Sequence, residues 1–378
     1  MTMSNVLFMV YTMDTGLGGH IYSLKNISER LECEFKILYF GYMPPKVELK
    51  NLTFVDLNKN SIFDCIKISC KEGKNTQVIH SFNEHSYFFS RISSLVNKSK
   101  LVLNKCGGKN NKYYPKTKSL VVFSKENYDF FKRKGNGNVY LIPNRVSSPT
   151  VLPQSITIDK EKKNIICISR FSRKYKEKIE KSIHLLMFLN KKRNSTTLSI
   201  VGTIDDVSVF EQIRDSYGNI PNLFIYTDPV YTSNAQRHIP YFDLTISAGR
   251  SLMESFSYGV PAAIVTEDRE YPTLINQKNF DTAFYYNFSE RTKFECEKEL
   301  DKQEVFDYFF CDSNSVVNFT KDMYVKYFDS SVINNRYQEV YLNSNGESFY
   351  NFVDIILNGL YIYWIRRSVN ISSLTQEY

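Results

Sequence analysis

The 378-residue chain has a single tryptophan, no Cys-x-x-Cys pair and no apolar run long enough to cross a membrane. Its seven cysteines are odd in number, and several sit inside apolar runs, as Cys167 does in Ile165-Ile166-Cys167-Ile168. That usage argues against a disulfide framework and suits buried thiols in a reducing compartment. No RNP, zinc-finger or KH signature is present, so nucleic acid is not an expected partner. There is no internal repeat at solenoid periods. Met1 to Val10 runs straight into an apolar strand, with neither a charged n-region nor a long h-region. The expectation is a cytoplasmic protein without a signal peptide, peripheral at most at the inner face of the membrane.

With 42% hydrophobic and 23% charged residues the composition is that of a soluble globular protein, and the length calls for two or three domains. The formal charge of +8 is concentrated locally. Lys98 to Lys134 holds many lysines against only Glu126 and Asp129. Such a segment attracts phosphates or an anionic membrane, unless it is simply a solvated face.

One stretch organises the rest, Asp243 to Val265. Asp243 to Ser247 reads as a short strand, Gly249 permits a sharp turn, and a helix from Ser251 to Tyr258 is stopped by Gly259 and Pro261. Ala262 to Val265 begins the next strand. In such a βαβ unit the helix N-terminus lies at the carboxyl end of a parallel strand, where open α/β sheets bind phosphorylated ligands. Leu252, Met253 and Phe256 share one helix face; Ser251, Glu254, Ser255 and Tyr258 share the other. Glu254 is either half of a Ser251-x-x-Glu254 capping box or a carboxylate aimed at ribose hydroxyls.

The first strand is Asn5 to Tyr11, followed by T-M-D-T-G-L-G-G-H and a helix over Ile21 to Leu31. Gly16-x-Gly18 matches only the opening of the dinucleotide fingerprint, because Ile21 holds the third glycine position. Strands at 35–40, 53–56, 77–80, 100–104 and 120–123 imply a parallel sheet covered on both faces. Ser147 to Asp159, rich in Ser, Thr and Pro, reads as a linker. A second alternating half follows, with strands at 164–169, 197–202 and 223–226 and helices at 177–190 and 207–217. The domains expected are therefore 1–150, 151–345 and a tail over 346–378. That tail, apolar, aromatic and basic at its end, reads first as a helix packing across the two halves and second as an interfacial membrane helix.

Four short motifs, Gly18-Gly19-His20, Ile142-Pro143-Asn144, Ile168-Ser169-Arg170-Phe171 and Gly249-Arg250-Ser251-x-x-Glu254 with Gly259-x-Pro261, occur in order along the chain. Together they resemble the GT-B glycosyltransferases, specifically the retaining family-four type, over most of Asn5 to Tyr341. The resemblance implies an α/β fold of two Rossmann-like parallel-sheet domains facing across a cleft, with a C-terminal helical extension. It implies a nucleotide-sugar donor in the C-terminal domain and a glycan or lipid-linked acceptor in the N-terminal one. Carried over by position, Arg170 and Lys176, with Lys174 as the other candidate, hold the donor diphosphate, and Glu254 accepts from the ribose hydroxyls. The backbone at Gly18, Gly19, Ser251 and Leu252 meets phosphate, while Gly249 and Arg250 line the donor site in the space of a missing glutamate and Arg250 faces the donor. The chain contains no Asp-x-Asp, so no metal or cofactor is expected.

Two departures from the family pattern leave roles open. Ile246 stands where many relatives have a glutamate that contacts the sugar. Asn104-Lys105-Cys106 stands where a histidine is usual, leaving Lys105, Asn104 or His20 to approach the sugar, with His80 and His85 ranked lower. The function expected is a retaining transferase of bacterial surface polysaccharide synthesis. The alternatives are a non-catalytic nucleotide-sugar binder or scaffold and a sugar-nucleotide epimerase of the same shape.

Overall fold

The structure is a computed structural model that describes residues 5–13, 19–111, 113–135, 137–147, 156–295, 300–311, 314–346 and 352–374. The chain opens β1 (Asn5–Tyr11), α1 (Gly19–Arg30), β2 (Glu34–Gly41), β3 (Leu52–Asp56), α2 (Ile62–Glu72), β4 (Val78–Ser81) and α3 (Tyr87–Asn97). Then come β5 (Lys100–Lys105), β6 (Ser119–Val122), α4 (Lys125–Arg133), β7 (Asn138–Leu141), β8 (Lys163–Ile168), α5 (Lys176–Lys192), β9 (Thr196–Val201) and α6 (Val207–Tyr217). β10 (Leu223–Tyr226), α7 (Pro229–Thr232), a 3-10 segment (Ala235–Tyr241), β11 (Leu244–Ile246), α8 (Arg250–Ser257), β12 (Ala262–Ile264) and β13 (Thr273–Leu274) follow. The remainder is helical: α9 (Phe280–Tyr285), α10 (Leu300–Phe310), α11 (Asn314–Met323), a π-helical turn (Tyr324–Phe328), α12 (Ile333–Asn343) and α13 (Phe352–Leu374).

The chain divides into two compact units, Met1–Asn144 with Ser330–Tyr378, and Arg145–Asp329. The second boundary therefore lies at Ser330, not at residue 345 as composition suggested. The physical reason is α12, whose Tyr337, Val340 and Tyr341 are buried in the core of the first unit. The expected linker falls mostly on residues 148–155, outside the described residues.

In the first unit a seven-stranded sheet runs β3-β2-β1-β4-β5-β6-β7, and every pairing is parallel. The interior strand β1 is apolar without alternation because both its faces are covered. Val6, Phe8 and Val10 enter one core with α1 and α12, while Leu7, Met9 and Tyr11 enter the other. Each such side chain contributes about 1.5–3 kcal/mol by leaving water.

His80, on β4, is fully buried in the first of these cores, with its Nδ1 2.8 Å from the Tyr341 hydroxyl. Burial pushes its pKa from 6.5 down to about 3. The folded state thus binds fewer protons than the unfolded one, so His80 costs no stability above the unfolded value and progressively more as pH falls below it. Lowering the pH from 7.5 to 5 is expected to remove about 2 kcal/mol through this residue. Urea titrations at the two pH values check this: His80→Phe should remove that part of the dependence.

The second unit has a six-stranded sheet, β10-β9-β8-β11-β12-β13, in which only β13 runs antiparallel, to β12. Ile165 and Cys167 of β8 pack on one face and Ile166 on the other. Where the chain enters and leaves this unit the two segments pair. The Val146 amide donates to the Phe328 carbonyl at 2.9 Å, and Arg145 Nη1 donates to the Asp329 carbonyl at 2.8 Å.

The tail, expected to bridge both halves, is α13 and belongs to the first unit, seated on α3. Arg91 of α3 donates to Asp354 at 2.7 Å, and both are buried. Gly359 lies so close to Phe88 that a Cβ there would stand 3.0 Å from its ring. Further along, Arg366 donates to the carbonyls of Leu57 and Asn60, each at 2.7 Å. Among the described residues no helix is long and apolar enough to cross a membrane.

Candidate functional site

In the second unit the chain moves from β8 outward through β9 to β10, then returns to the other side of β8 as β11. The sheet order reverses between β8 and β11, and the crevice outside the carboxyl ends of two such strands is where open α/β sheets bind ligands. Ile246 pairs with Cys167, so the loops carrying Arg170 and Gly249 leave adjacent strand ends.

Gly249 has φ +56 and ψ −125, a conformation open to glycine and closed to side-chain-bearing residues. A Cβ there would meet nothing closer than 4.0 Å, so the demand is on the backbone and not on space. Its amide donates to the carbonyl of Phe288 at 2.8 Å. The turn launches α8 at Arg250, with Gly249 as N-cap and no capping side chain. The capping box reading is therefore overturned, because the helix begins too early for Ser251 to cap it. The amides of Ser251 and Leu252 fall in the first turn, where a helix supplies no acceptor of its own. The partial positive charge at such an end favours an anion.

Glu254 accepts from Arg250 Nε at 2.8 Å, an i,i+4 pair with both side chains largely covered. Arg250 also donates to the carbonyl of Arg145 at 3.3 Å. Burial raises the Glu254 carboxyl above its ordinary value, and Arg250 partly offsets this. Arg250 engages Oε1. Leu252, Met253 and Phe256 are buried as their spacing requires. Ser255 was grouped with the polar face; it is buried instead, its hydroxyl 2.8 Å from both Thr245 Oγ1 and the Val260 carbonyl.

Across the crevice, the loop after β8 is fastened to the loop after β9. The Phe171 amide donates to the Thr203 carbonyl, and the Asp205 and Asp206 amides donate to the Phe171 carbonyl. Gly202 makes this approach possible: a Cβ there would lie 1.8 Å from the Ser169 carbonyl oxygen. Arg170 is half-exposed, 3.2 Å from Asp205, with its guanidinium 5.5 Å from the centre of the Tyr175 ring. Lys174 shares that ring at 5.1 Å. Lys176 turns elsewhere, donating to Gln212 of α6 at 2.9 Å. Of the two lysine candidates, the structure thus groups Lys174, not the preferred Lys176, with Arg170.

Three residues at this crevice had no role assigned from the sequence. Ser169 and Ser247, at the ends of β8 and β11, are buried, and their hydroxyls have no partner among the described residues. Buried polar groups are normally paired, so these two strand ends depart from the ordinary pattern, although the hydroxyls are too deeply covered to face the crevice. Lys178 is buried as well, its ammonium 2.8 Å from the Ile168 carbonyl. The only signal for the serines was their repeated position one residue past a buried strand; the lysine gave none.

In the first unit the order reverses between β1 and β4. Gly16 and Gly18 lie outside the described residues. Gly19 opens α1, with half-buried His20 in its first turn. Asn144 of the Ile-Pro-Asn motif accepts from Ser23 of α1 at 2.8 Å, so this motif anchors the helix. Lys105 is buried, with its ammonium on the Lys109 carbonyl at 3.0 Å and 5.1 Å from the centre of the Tyr114 ring. Asn104, also buried, donates to Cys106 Sγ. Both shape the loop after β5, which β4 separates from the strand preceding His20. Glu84 and the lower-ranked His85 follow shortly after β4, at the reversal. His85 stacks on Tyr361 with ring centres 5.8 Å apart, and burial lowers its pKa against the opposing effect of Glu84. Among the described residues no group of three or more His, Cys, Asp or Glu is placed to hold a metal ion.

No family model matches the sequence, and no curated protein matches it. Solved structures do match the fold. A glycosyltransferase from Rickettsia africae superposes with a TM-score of 0.64 at 14% identity, covering 90% of this chain and 98% of that one. HepE of Anabaena, solved with UDP and glucose, gives 0.60 at 12%, covering 90% and 100%. The chain has the GT-B fold. The same GT-B fold extends to a putative UDP-N-acetylglucosamine 2-epimerase from Listeria monocytogenes, at 0.57 and 11%, covering 89% and 95%. These identities establish the architecture and leave the chemistry to the site.

Proposed function

We propose that this GT-B chain is a glycosyltransferase that takes a sugar from a nucleotide donor held at the β8–β11 crevice. The observation that carries the reading is the placement at adjacent strand ends of Arg170 and Lys174 on one side and the open first turn of α8 on the other. When the bond between the sugar and the diphosphate breaks, its electron pair stays on the departing phosphate. Preorganised positive groups stabilise that charge most in the transition state. Charge-assisted hydrogen bonds from Arg170 and Lys174 contribute about 1.5–3 kcal/mol each, and the helix end about 0.3–2 kcal/mol. Glu254, with Arg250 fixing one oxygen, offers the other to a ribose diol.

The reading includes retention of anomeric configuration, a glycan or lipid-linked acceptor received by the first unit, and a place in surface polysaccharide assembly. Complexes of the neighbour HepE favour a UDP-sugar as donor. In place of a metal, the proposal gives charge stabilisation to the two cations and the helix end. Lys105 and Asn104 are assigned to packing, so His20 and the Glu84-His85 pair are the groups proposed to meet the acceptor.

A panel of nucleotide-sugars, screened by melting temperature, tests the donor site: one UDP-sugar should raise the midpoint by mass action. Release of free sugar or its transfer should then fall in Arg170→Ala and Glu254→Ala. Binding without turnover would identify a non-catalytic binder. Because an epimerase shares the fold, the product should also be read by NMR, where an inverted sugar still joined to its nucleotide would favour that second reading.

A further inference from the structure

On α13, Val353, Ile356, Leu357, Leu360, Tyr363 and Trp364 are all exposed, from 44% at Leu357 to 69% at Val353. Their spacing is helical, so they form one stripe along the helix. The opposite face, with Asp354, Asn358, Ile362 and Ile365, is buried against the first unit. A helix apolar on both sides with only one side packed leaves a contiguous exposed apolar patch, the mark of a docking surface.

Charge identifies the occupant. The charged residues of α13 are Asp354, Arg366 and Arg367. Arg91 engages Asp354, and the loop carbonyls of Leu57 and Asn60 engage Arg366. Arg367 remains exposed beside Trp364. At the start of the helix the exposed Lys116 is held through its amide on Asp354. The exposed Lys118 is held through its ammonium on the Gly346 carbonyl. Arg367 thus lies at one end of the stripe and Lys116 and Lys118 near the start of the helix, and α13 shows no exposed carboxylate among its described residues. A second copy of the chain would bring like charges together, whereas anionic headgroups would neutralise them.

We propose that the outer face of α13 docks in the plane of an anionic membrane surface, with Tyr363 and Trp364 at headgroup depth. From Val353 to Trp364 the stripe is about 17 Å long at ~1.5 Å per residue. That is far short of a ~30 Å hydrocarbon core, and it fits a helix lying along the surface.

Trp364 is the only tryptophan in the chain, so the unmodified protein reports its own docking. Equimolar phosphatidylglycerol and phosphatidylcholine vesicles should shift its emission to the blue and carry the protein down on sedimentation. Pure phosphatidylcholine should do neither. Arg367→Gln and Lys118→Gln should each weaken binding roughly fivefold. Val353→Ser with Leu360→Ser should weaken it at least about tenfold; both positions are exposed, so an unchanged melting temperature will separate this loss from unfolding. Failure to bind the mixed vesicles, or equal binding to neutral ones, would overturn the proposal. So would emission already blue-shifted without lipid in a protein that sediments as a dimer, which would give the face to a second copy.

Discussion

Arg170→Ala is expected to slow donor turnover roughly 100- to 1,000-fold, the loss typical when one preorganised group facing developing charge is removed. Stability should barely change. The side chain is half-exposed and its ion pair with Asp205 is solvent-facing, a class of interaction worth about 0–1 kcal/mol. Activity and folding are therefore separable at this position, which makes it the sharpest test of the donor site. Arg170→Lys keeps the charge and loses the planar fork that matches two phosphate oxygens, so it should recover only part of the rate. Lys174 lies over the same tyrosine ring and Lys176 is engaged on α6. Accordingly, Lys174→Ala should cost more in turnover than Lys176→Ala. The measurement is single-turnover sugar release at saturating donor. An Arg170→Ala rate within about threefold of wild type, under 1 kcal/mol of barrier, would remove Arg170 from the site.

The parts of this molecule that were legible in the sequence are those where a single physical demand dominates. β1 is buried on both faces and reads as an uninterrupted apolar run, so its limits, Asn5 and Tyr11, coincide with those expected. Gly249 announces a turn that other residues cannot make, and the structure shows why in its positive φ. Where two explanations produce the same residues, the sequence could not choose. Ser251-x-x-Glu254 is the pattern of a capping box, but the helix starts at Arg250 and Glu254 finds Arg250 instead. Lys178 sits in an amphipathic helix where lysine ordinarily faces water, and only the fold shows its ammonium on the Ile168 carbonyl. Ser169 and Ser247 are short polar residues like many others until their burial makes an unsatisfied hydroxyl unusual. The return to the first unit at Ser330 was hidden for a related reason: the apolar residues of α12 name no partner, and the core that receives them lies far away in sequence.

Asp354→Ala is expected to destabilise the protein by about 3–5 kcal/mol, the usual result of stranding one partner of a buried ion pair. Asp354 Oδ2 accepts from Arg91 at 2.7 Å and from the Lys116 amide at 3.3 Å. The Tyr113 hydroxyl stands 3.4 Å from Oδ1, and Asn358 Nδ2 is 3.3 Å from Oδ2. Removing the carboxylate takes a close counter-charge from a guanidinium that is 0% exposed, where water does not reach it cheaply. The cost should fall on the seat of α13 first, so amide exchange in Phe352–Leu374 should accelerate before that of the central sheet. Arg91→Met with Asp354→Leu should restore much of the loss, because an apolar pair of similar volume requires no desolvated charge. Urea titration of the two single variants and the double variant measures the coupling directly. Full additivity would mean that α13 is held by its apolar inner face alone, with the ion pair contributing only to its register.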